Sequence, residues 1–350
     1  MWSATDFQQK VIHYYRQHGR KHLPWQGTKD PYRIWLSEIM LQQTQVTTVI
    51  PYYETFLQRF PTIIDLAEAT SDEVMHLWSG LGYYSRARNL HQAAKMVVEE
   101  FNGHFPQNPA EIETLPGVGR STAGAIAAFA FDKPSAILDG NVKRVLARCY
   151  GIEGWAGKSS VLKALWLRAE QNTPQKDTAQ YNQAMMDLGA VVCTRTKPKC
   201  DQCPLSEQCY ALEHEQIAQL PGKKPKKTRP KRSVYWLICL NNRQVMLHKR
   251  PPSGIWGGLW CFPEIEQSDE APEHERKFDS FIHKFSHYDL EVQPLLVKKL
   301  PNTGIMEPNE FNHFALDFLL QKSQQKTAEI GLPTPVSKVL ASLDSQSLKT

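Results

Sequence analysis

Four of the seven cysteines crowd into one short stretch, Cys193, Cys200, Cys203 and Cys209, with the spacing C-x6-C-x2-C-x5-C. Whatever else this chain does, that stretch must close into a loop whose thiols face a common point. Clustered thiols in a cytosolic protein are more readily metal ligands than disulfides. Zinc ribbons present two short C-x2-4-C pairs, whereas here one tight pair lies between two wider arms. A cuboidal 4Fe-4S cluster suits that spacing better, with zinc as the alternative. Cys149, Cys239 and Cys261 lie in apolar patterns and are expected to be inert core thiols. Arg195, Lys197 and Lys199 crowd the loop between the first two cysteines, either as solvated charges or as a phosphate-binding finger.

A chain of 350 residues has room for two or three domains. With 22% charged and 41% hydrophobic residues it has the composition of a globular protein, which excludes disordered and collagen-like classes. The longest apolar run, from Ala123 to Phe131, is too short for the ~20 residues of a membrane-spanning helix. The N-terminus lacks the apolar core of a secretory signal, so a cytoplasmic, nucleoid-associated location is expected. Net charge is +5, and the excess sits in the proline-laced run PGKKPKKTRPKRS, Pro221 to Ser233. Such a segment cannot bury an apolar face and reads as an interdomain linker over 223–233. It is a solvated tether, with phosphate contact as an additional possibility.

Ahead of the linker, WLSEIMLQQTQVTTVI, DEVMHLWSGLG, RARNLHQAAKMVVEEF and NVKRVLARCYG carry apolar residues at helical spacing between Pro and Gly breakers, which predicts an all-α region. Behind it, SVYWLICL and QVMLHKR flank the hairpin signal Asn241-Asn242-Arg243, and HYDLEVQPLLV alternates as a strand does, which predicts an α+β region.

In NPAEIETLPGVGRSTAGAIAAFAF, Asn108 is expected to cap a helix that has Pro109 at its first position and Glu111 closing a capping box. The turn Leu115-Pro116-Gly117-Val118-Gly119 then leads into an Ala-rich helix, making a helix-hairpin-helix. Its two glycines leave backbone N–H groups uncovered at a helix N-terminus, where a DNA phosphate can dock; a plain glycine turn is the other reading. Two carboxylates draw attention. Glu38 lies on a largely apolar helix face with Ile34, Trp35 and Leu41, where desolvation raises its pKa and keeps it protonated as a general acid; a buried structural carboxylate fits equally. Asp139 precedes Gly140-Asn141 at a helix start, where a simple N-cap is the plainer role.

Together these motifs resemble a known family. The cysteine spacing after LPGVGRSTAGAI and LDGNVKRVLAR is similar to that of the endonuclease III superfamily of helix-hairpin-helix DNA glycosylases, over roughly residues 5–222. Within it, LPW (Leu23 to Trp25), SEIMLQQTQV (Ser37 to Val46), GLGYYSRARNL (Gly80 to Leu90) and NQAMMDLGA (Asn182 to Ala190) resemble the adenine DNA glycosylases of the MutY type. The resemblance implies a catalytic region over 1–222, with a six-helix core at about 25–135 and a cluster domain formed by the N-terminal helix and 136–222, then a Nudix-like domain over 234–350.

The resemblance further implies a monomeric enzyme, acting on double-stranded DNA and on no membrane, that removes adenine mispaired with 8-oxoguanine or guanine after flipping it from the duplex. Glu38 would protonate adenine N7, Asp139 would stabilise or covalently trap the oxocarbenium-like sugar, and Asn141 would orient that carboxylate. Trp25, Leu41 and Gln183 fall near the adenine pocket. Gln42, Gln43, Thr44, Leu81 and Tyr83 fall around the widowed partner base, with Gln43 and Tyr83 as wedges. Gly117, Gly119 and Ser121 belong to the phosphate-binding hairpin. A pocket position beside Trp25 that is often arginine in relatives is Gln26 here.

The bifunctional branch has a Schiff-base lysine where this chain has Ser121, so a monofunctional glycosylase is expected; a bifunctional lyase and a non-catalytic damage binder or zinc-dependent transcription factor are the alternatives. In the Nudix-like part no glutamate-rich REUxEExGU box follows Gly257-Gly258, so hydrolase activity of that domain is not expected. Phe285-Ser286-His287 matches the family loop that probes 8-oxoguanine.

Overall fold

The computed structural model describes residues 2–225, 228–267, 271–300, 311–324 and 330–347. Helices come first: α1 (Ala4–His18), α2 (Pro31–Leu41), α3 (Val46–Arg59), α4 (Ile63–Glu68), α5 (Ser71–Leu77), α6 (Ser85–Phe101), α7 (Pro109–Thr114), α8 (Arg120–Phe131), α9 (Gly140–Tyr150), α10 (Ser159–Asn172), α11 (Thr178–Asp187) and the short α12 (Tyr210–Glu213). Strands β1 (Lys231–Ile238), β2 (Leu240–Asn241), β3 (Gln244–Lys249), β4 (Trp260–Cys261), β5 (Glu264–Glu266), β6 (Arg276–Lys277), β7 (Phe281–Lys284), β8 (Asp289–Leu296) and β9 (Phe311–Ala315) follow, then α13 (Leu316–Gln324) and α14 (Thr334–Ser347). The chain divides into two compact units, Met1–Ala67 with Gln92–Lys226, and Glu68–His91 with Lys227–Thr350.

The first unit is all-α. Its helices begin where the chain supplies side-chain caps: Ser3 accepts from Asp6 N–H before α1, and Asp30 accepts from Tyr32 N–H with Pro31 at the first position of α2. Ahead of α7, Asn108 bonds the N–H of Ala110 at 3.0 Å instead of that of Glu111, so an Asx turn replaces the expected capping box. One apolar core joins the N-terminal helix to the second half of the unit: Phe7 and Val11 of α1 pack with Val145 and Leu146 of α9, Leu165 of α10, and Tyr181 and Met185 of α11. Burying a side chain the size of Phe7 contributes about 1.5–3 kcal/mol.

One predicted helix is broken. The periodic run from Trp35 to Ile50 is two helices, because the chain turns at Gln42–Gln45 and Gln43 adopts φ 59. The expected breaker does not break: Pro51 sits inside α3, which runs on to Arg59 without the one intrahelical bond that a proline cannot donate.

The second unit combines two sheets with helices. In one, β1 lies between β5 and β8, and β6 and β7 both pair with β8; in the other, β3 pairs with β2, β4 and β9. Strands β1 and β8 run parallel in register from Lys231↔Asp289 to Ile238↔Leu296. Buried in a parallel pair, β1 loses strict alternation, and every residue from Val234 to Ile238 is covered. Asn242 and Arg243 both have positive φ (47° and 56°), the backbone of a two-residue type I′ hairpin between β2 and β3.

The basic run ends sooner than its composition suggests. Lys231, Arg232 and Ser233 belong to β1, where Lys231 pairs with Glu291 at 3.0 Å and Arg232 with Glu266 at 3.0 Å, and Arg229 lies 3.8 Å from Asp289. Those three charges have acidic neighbours within the protein, while Lys223 and Lys224 stay exposed.

Candidate active site

Helix α2 packs Trp35, Leu36, Ile39 and Met40 into the interior, and Glu38 emerges between them into a cavity of about 290 Å³. Trp25, Ser37, Phe129 and Gln183 also line it. The Glu38 carboxyl is pushed up to about 7, first by burial and then by the negative charge of Asp139. An acid held by desolvation beside a second carboxylate keeps its proton near neutrality.

Asp139 stands at the N-terminus of α9. Its Oδ1 accepts from Val142 N–H at 2.7 Å and its Oδ2 from the Asn141 side-chain amide at 3.2 Å. Burial raises its pKa, while those donors and Arg144 oppose the rise by favouring the anion. Asp139 is therefore an N-cap and also a half-buried carboxylate held by directed donors.

Two close approaches fix the segment that ends at Asp139. A Cβ at Gly124 would lie 2.3 Å from the carbonyl oxygen of Ala136, so only glycine lets α8 press on the segment that delivers Asp139. A Cβ at Gly189 would lie 2.5 Å from that of Asn141. That contact lets Arg144 join three groups: its guanidinium donates to Asn141 Oδ1 (2.9 Å), to Gly189 O (2.6 Å) and to the carbonyl of Cys193 (2.7 Å). Asn141 is thus fixed between Asp139 and Arg144.

The hairpin has the geometry of an open anion cradle. Gly117 has φ 77, and Gly119 caps α8 with no side chain, so the first N–H groups of α8 have no side-chain acceptor and a Cβ there would meet nothing within 4 Å. Ser121, in the first turn of α8, turns inward and accepts from Leu138 N–H at 2.9 Å, tying the hairpin to the segment that delivers Asp139. Gln42 reaches the carbonyl of Gly117 at 3.5 Å, and Thr44 Oγ1 donates to Gln42 O at 3.4 Å. Gln43 projects, exposed, from its left-handed backbone. Leu41 ends α2, half-buried.

Arg20 and Asp187 join the site although no sequence motif pairs them. Arg20 grips buried Asp187 through its backbone N–H (2.8 Å) and its guanidinium (2.6 and 2.9 Å), and Asp187 Oδ1 accepts from Gln183 at 3.0 Å. The pair orients Gln183 in the cavity wall. Asp187 lies within NQAMMDLGA, but its partner is 167 positions away and no local pattern joins them. Gln26 is committed elsewhere: its amide accepts from Leu23 N–H and donates to Arg20 O, which closes the turn holding Trp25. Trp25 is buried and meets Tyr53 edge-on.

All four clustered cysteines line one cavity with Val145, Val192, Pro198 and Ile217. Among the described residues no three His, Cys, Asp or Glu side chains converge as a single ion requires. Thiols set around an apolar space fit a cluster with a body of its own, and Arg148 donates toward Cys193 Sγ at 3.4 Å. Cys149 also lines this cavity, so this core thiol is a neighbour of the clustered four. Arg195, Lys197 and Lys199 are exposed on the same loop.

The remaining candidates belong to the second unit. Leu81 is buried, while Tyr83 is half exposed on a left-handed backbone (φ 50) with the Arg86 guanidinium 5.5 Å from its ring. Phe285 is half-buried at the end of β7, and Ser286 and His287 are exposed beyond it. Gln43 and Tyr83 are each an exposed non-glycine residue at positive φ.

Comparison with known proteins gives three family matches: HhH-GPD superfamily base excision DNA repair protein over residues 36–171, iron-sulfur binding domain of endonuclease III over 193–209, and NUDIX domain over 234–342. An adenine DNA glycosylase of Buchnera aphidicola subsp. Baizongia pistaciae is 42% identical over 96% of both chains. That of Mus musculus is 37% identical, covering 83% of this chain and 70% of its own. Among solved structures, a thermostable thymine-DNA glycosylase superposes with TM-score 0.54 at 30% identity, over 61% of this chain and 97% of its own. An endonuclease III–DNA complex superposes with TM-score 0.51 over 61% of this chain and 99% of its own, sharing the fold at 22% identity.

Proposed function

Because the chain belongs to the adenine DNA glycosylase family, we propose that it hydrolyses the N-glycosidic bond of adenine mispaired with 8-oxoguanine or guanine, without cutting the strand. It is a DNA N-glycosylase of base excision repair, its partner is DNA, and it carries a 4Fe-4S cluster on Cys193, Cys200, Cys203 and Cys209. No described helix is long and apolar enough to cross a membrane.

The observation that carries the reading is Glu38, raised to about 7 in a cavity of about 290 Å³ within the electrostatic reach of Asp139. A flipped adenine enters that cavity against Trp25, with Gln183 held by Asp187 to meet its edge. Glu38 delivers its proton to N7, so the base departs neutral. Asp139, ionised, faces the positive charge that develops on the sugar, and Asn141 keeps it aimed; two carboxylates dividing these roles is the logic of glycoside hydrolysis. Backbone N–H groups at Gly119–Ser121 receive a phosphate of the same strand.

Opposite pH limbs follow. Glu38 acts protonated, so the single-turnover rate should fall by about tenfold per unit as pH rises above about 7. Asp139 acts ionised, so the rate should also fall on the acid side as pH drops through its raised pKa. Excision rates followed from acid to alkaline pH measure both limbs; a rate that stays flat above about pH 7 would remove Glu38 from the role.

The direct test is incubation of the protein with duplexes holding adenine opposite 8-oxoguanine, guanine or thymine, followed by alkali. Breaks that appear only after alkali, and only with the first two partners, are the expected result. Wild-type protein should give no borohydride-trapped adduct, and Ser121→Lys should gain one, since an amine there adjoins the segment that carries Asp139. Prompt nicking by the wild type would favour the bifunctional alternative.

A further inference from the structure

The second unit holds a cavity of about 980 Å³ lined by Tyr83, Ser286 and His287, and Trp256, which no reading above assigns, stands in its wall with Phe285 and Arg88. Trp256 is peculiar in two ways. It is 7% exposed, and its backbone is left-handed at φ 52, a conformation that a bulky residue adopts only when its surroundings compel it. What compels it is visible. Its carbonyl accepts from Leu259 N–H at 2.9 Å, and Arg88 Nη1 donates at 2.8 Å to the carbonyl of the next residue, Gly257.

The conformation aims the indole at β7. Ring centroids of Trp256 and Phe285 are 5.1 Å apart, and those of Trp256 and His283 5.2 Å. Phe285 in turn lies 5.0 Å from Tyr288, and its N–H donates to Tyr288 O at 2.9 Å, closing a four-residue turn. Ser286 and His287 stand exposed at the tip of that turn. The anchors are aromatic and covered; the tip is polar and open. Arg88 belongs to α6, whose first turn follows Tyr83, so one hydrogen bond ties the Tyr83 segment to the indole's backbone.

We propose that Trp256 is a positioning residue for partner-base recognition: through Phe285 it holds the Phe285–Tyr288 turn so that Ser286 and His287 meet the base opposite adenine. The inference rests on the reading that this turn contacts the partner base. The backbone strain of Trp256 is maintained to place a ring beneath the turn, and the Arg88 bond keeps turn and Tyr83 segment in one arrangement.

The test uses the full-length protein with Trp256→Ala, Trp256→Gly and Trp256→Phe, and Ser286→Ala, His287→Ala in parallel. Competition between duplexes carrying 8-oxoguanine and guanine under single-turnover conditions reads the preference, and hydrogen exchange over residues 283–289 reads the turn. Trp256→Ala should lower the preference by about tenfold, the size of losing one hydrogen-bonded contact, and speed exchange in the turn, with excision opposite guanine changed less than about threefold. Trp256→Gly relaxes the backbone yet should be equally impaired, because the ring is what matters. Trp256→Phe keeps a ring and should recover most of the preference, which also guards against a folding defect in the smaller variants.

If the double variant loses preference while all three Trp256 variants keep it, the proposal falls and the partner-base reading stands. If the double variant keeps its preference, that reading falls and the proposal with it. If Trp256→Gly behaves as wild type, strain and ring are both without this role.

Discussion

Glu38→Gln should leave duplex binding intact and slow adenine release by about 10²–10⁴-fold, the cost of a lost general acid. The amide keeps the shape of the side chain and its hydrogen-bonding capacity but has no proton to give. Gel-shift affinity and single-turnover excision, measured together, separate the two effects, and excision above a tenth of the wild-type rate would overturn the assignment. The same variant has a second signature. A carboxyl whose folded pKa is about 7, against 4.5 when unperturbed, binds its proton more tightly in the native state, so stability is highest at acid pH and declines as pH rises through about 7. The wild type therefore carries a penalty of at most about 3 kcal/mol at alkaline pH that the amide lacks. Thermal unfolding near pH 8 should show the variant to be the more stable protein, with the gap closing near pH 4. Activity and stability are opposed at this residue.

Asp139→Asn should lower excision by about 10³-fold, comparable to removing a preorganised charge from a developing transition state. The fold should survive, because the amide oxygen can still accept from Val142 N–H and asparagine caps helices as well as aspartate. The local network does not survive equally well. Asn141 donates to Asp139 Oδ2 and its own oxygen is taken by Arg144, so a new amide nitrogen at that place would face another donor. Neutralising Asp139 also removes the charge that helps to hold the Glu38 proton, so the alkaline limb of the residual activity should move to lower pH. An unchanged limb would mean that the two carboxyls do not sense one another.

Much of this arrangement is legible in the residues themselves, and its gaps have physical reasons. Caps at Asn108 and Asp139, the glycines of the hairpin and the paired left-handed residues at Asn242-Arg243 are local chemistry, acting over three or four positions. Cysteine spacing is equally local. The break at Gln42–Gln45 was hidden because apolar periodicity continues across it, and no glycine, asparagine or proline marks the left-handed Gln43. Strand β1 starting at Lys231 was masked by composition, since exposed ends of a strand tolerate lysine and arginine when acidic neighbours on β5 and β8 receive them. The Arg20–Asp187 pair and the grouping of 68–91 with the back of the chain depend on contacts between distant segments, which no spacing rule reads.

The clasp between Arg20 and Asp187 bears on how the enzyme is born. Helix α1 packs against α11, and the wall of the base cavity is drawn from residues near 25, 38, 129 and 183. A ribosome delivers the N-terminal part first, yet that part holds only half of a pocket until Asp187 has emerged to lock Arg20 and orient Gln183. Pairings of such long sequence separation form late, because the loop between them must be closed before they return any stabilisation. Glu38 is therefore present early in synthesis with nothing opposite it to seat a base. On the proposed roles, an incomplete nascent chain carries the acid without the wall that would hold a base against it, so excision should require the chain through Asp187.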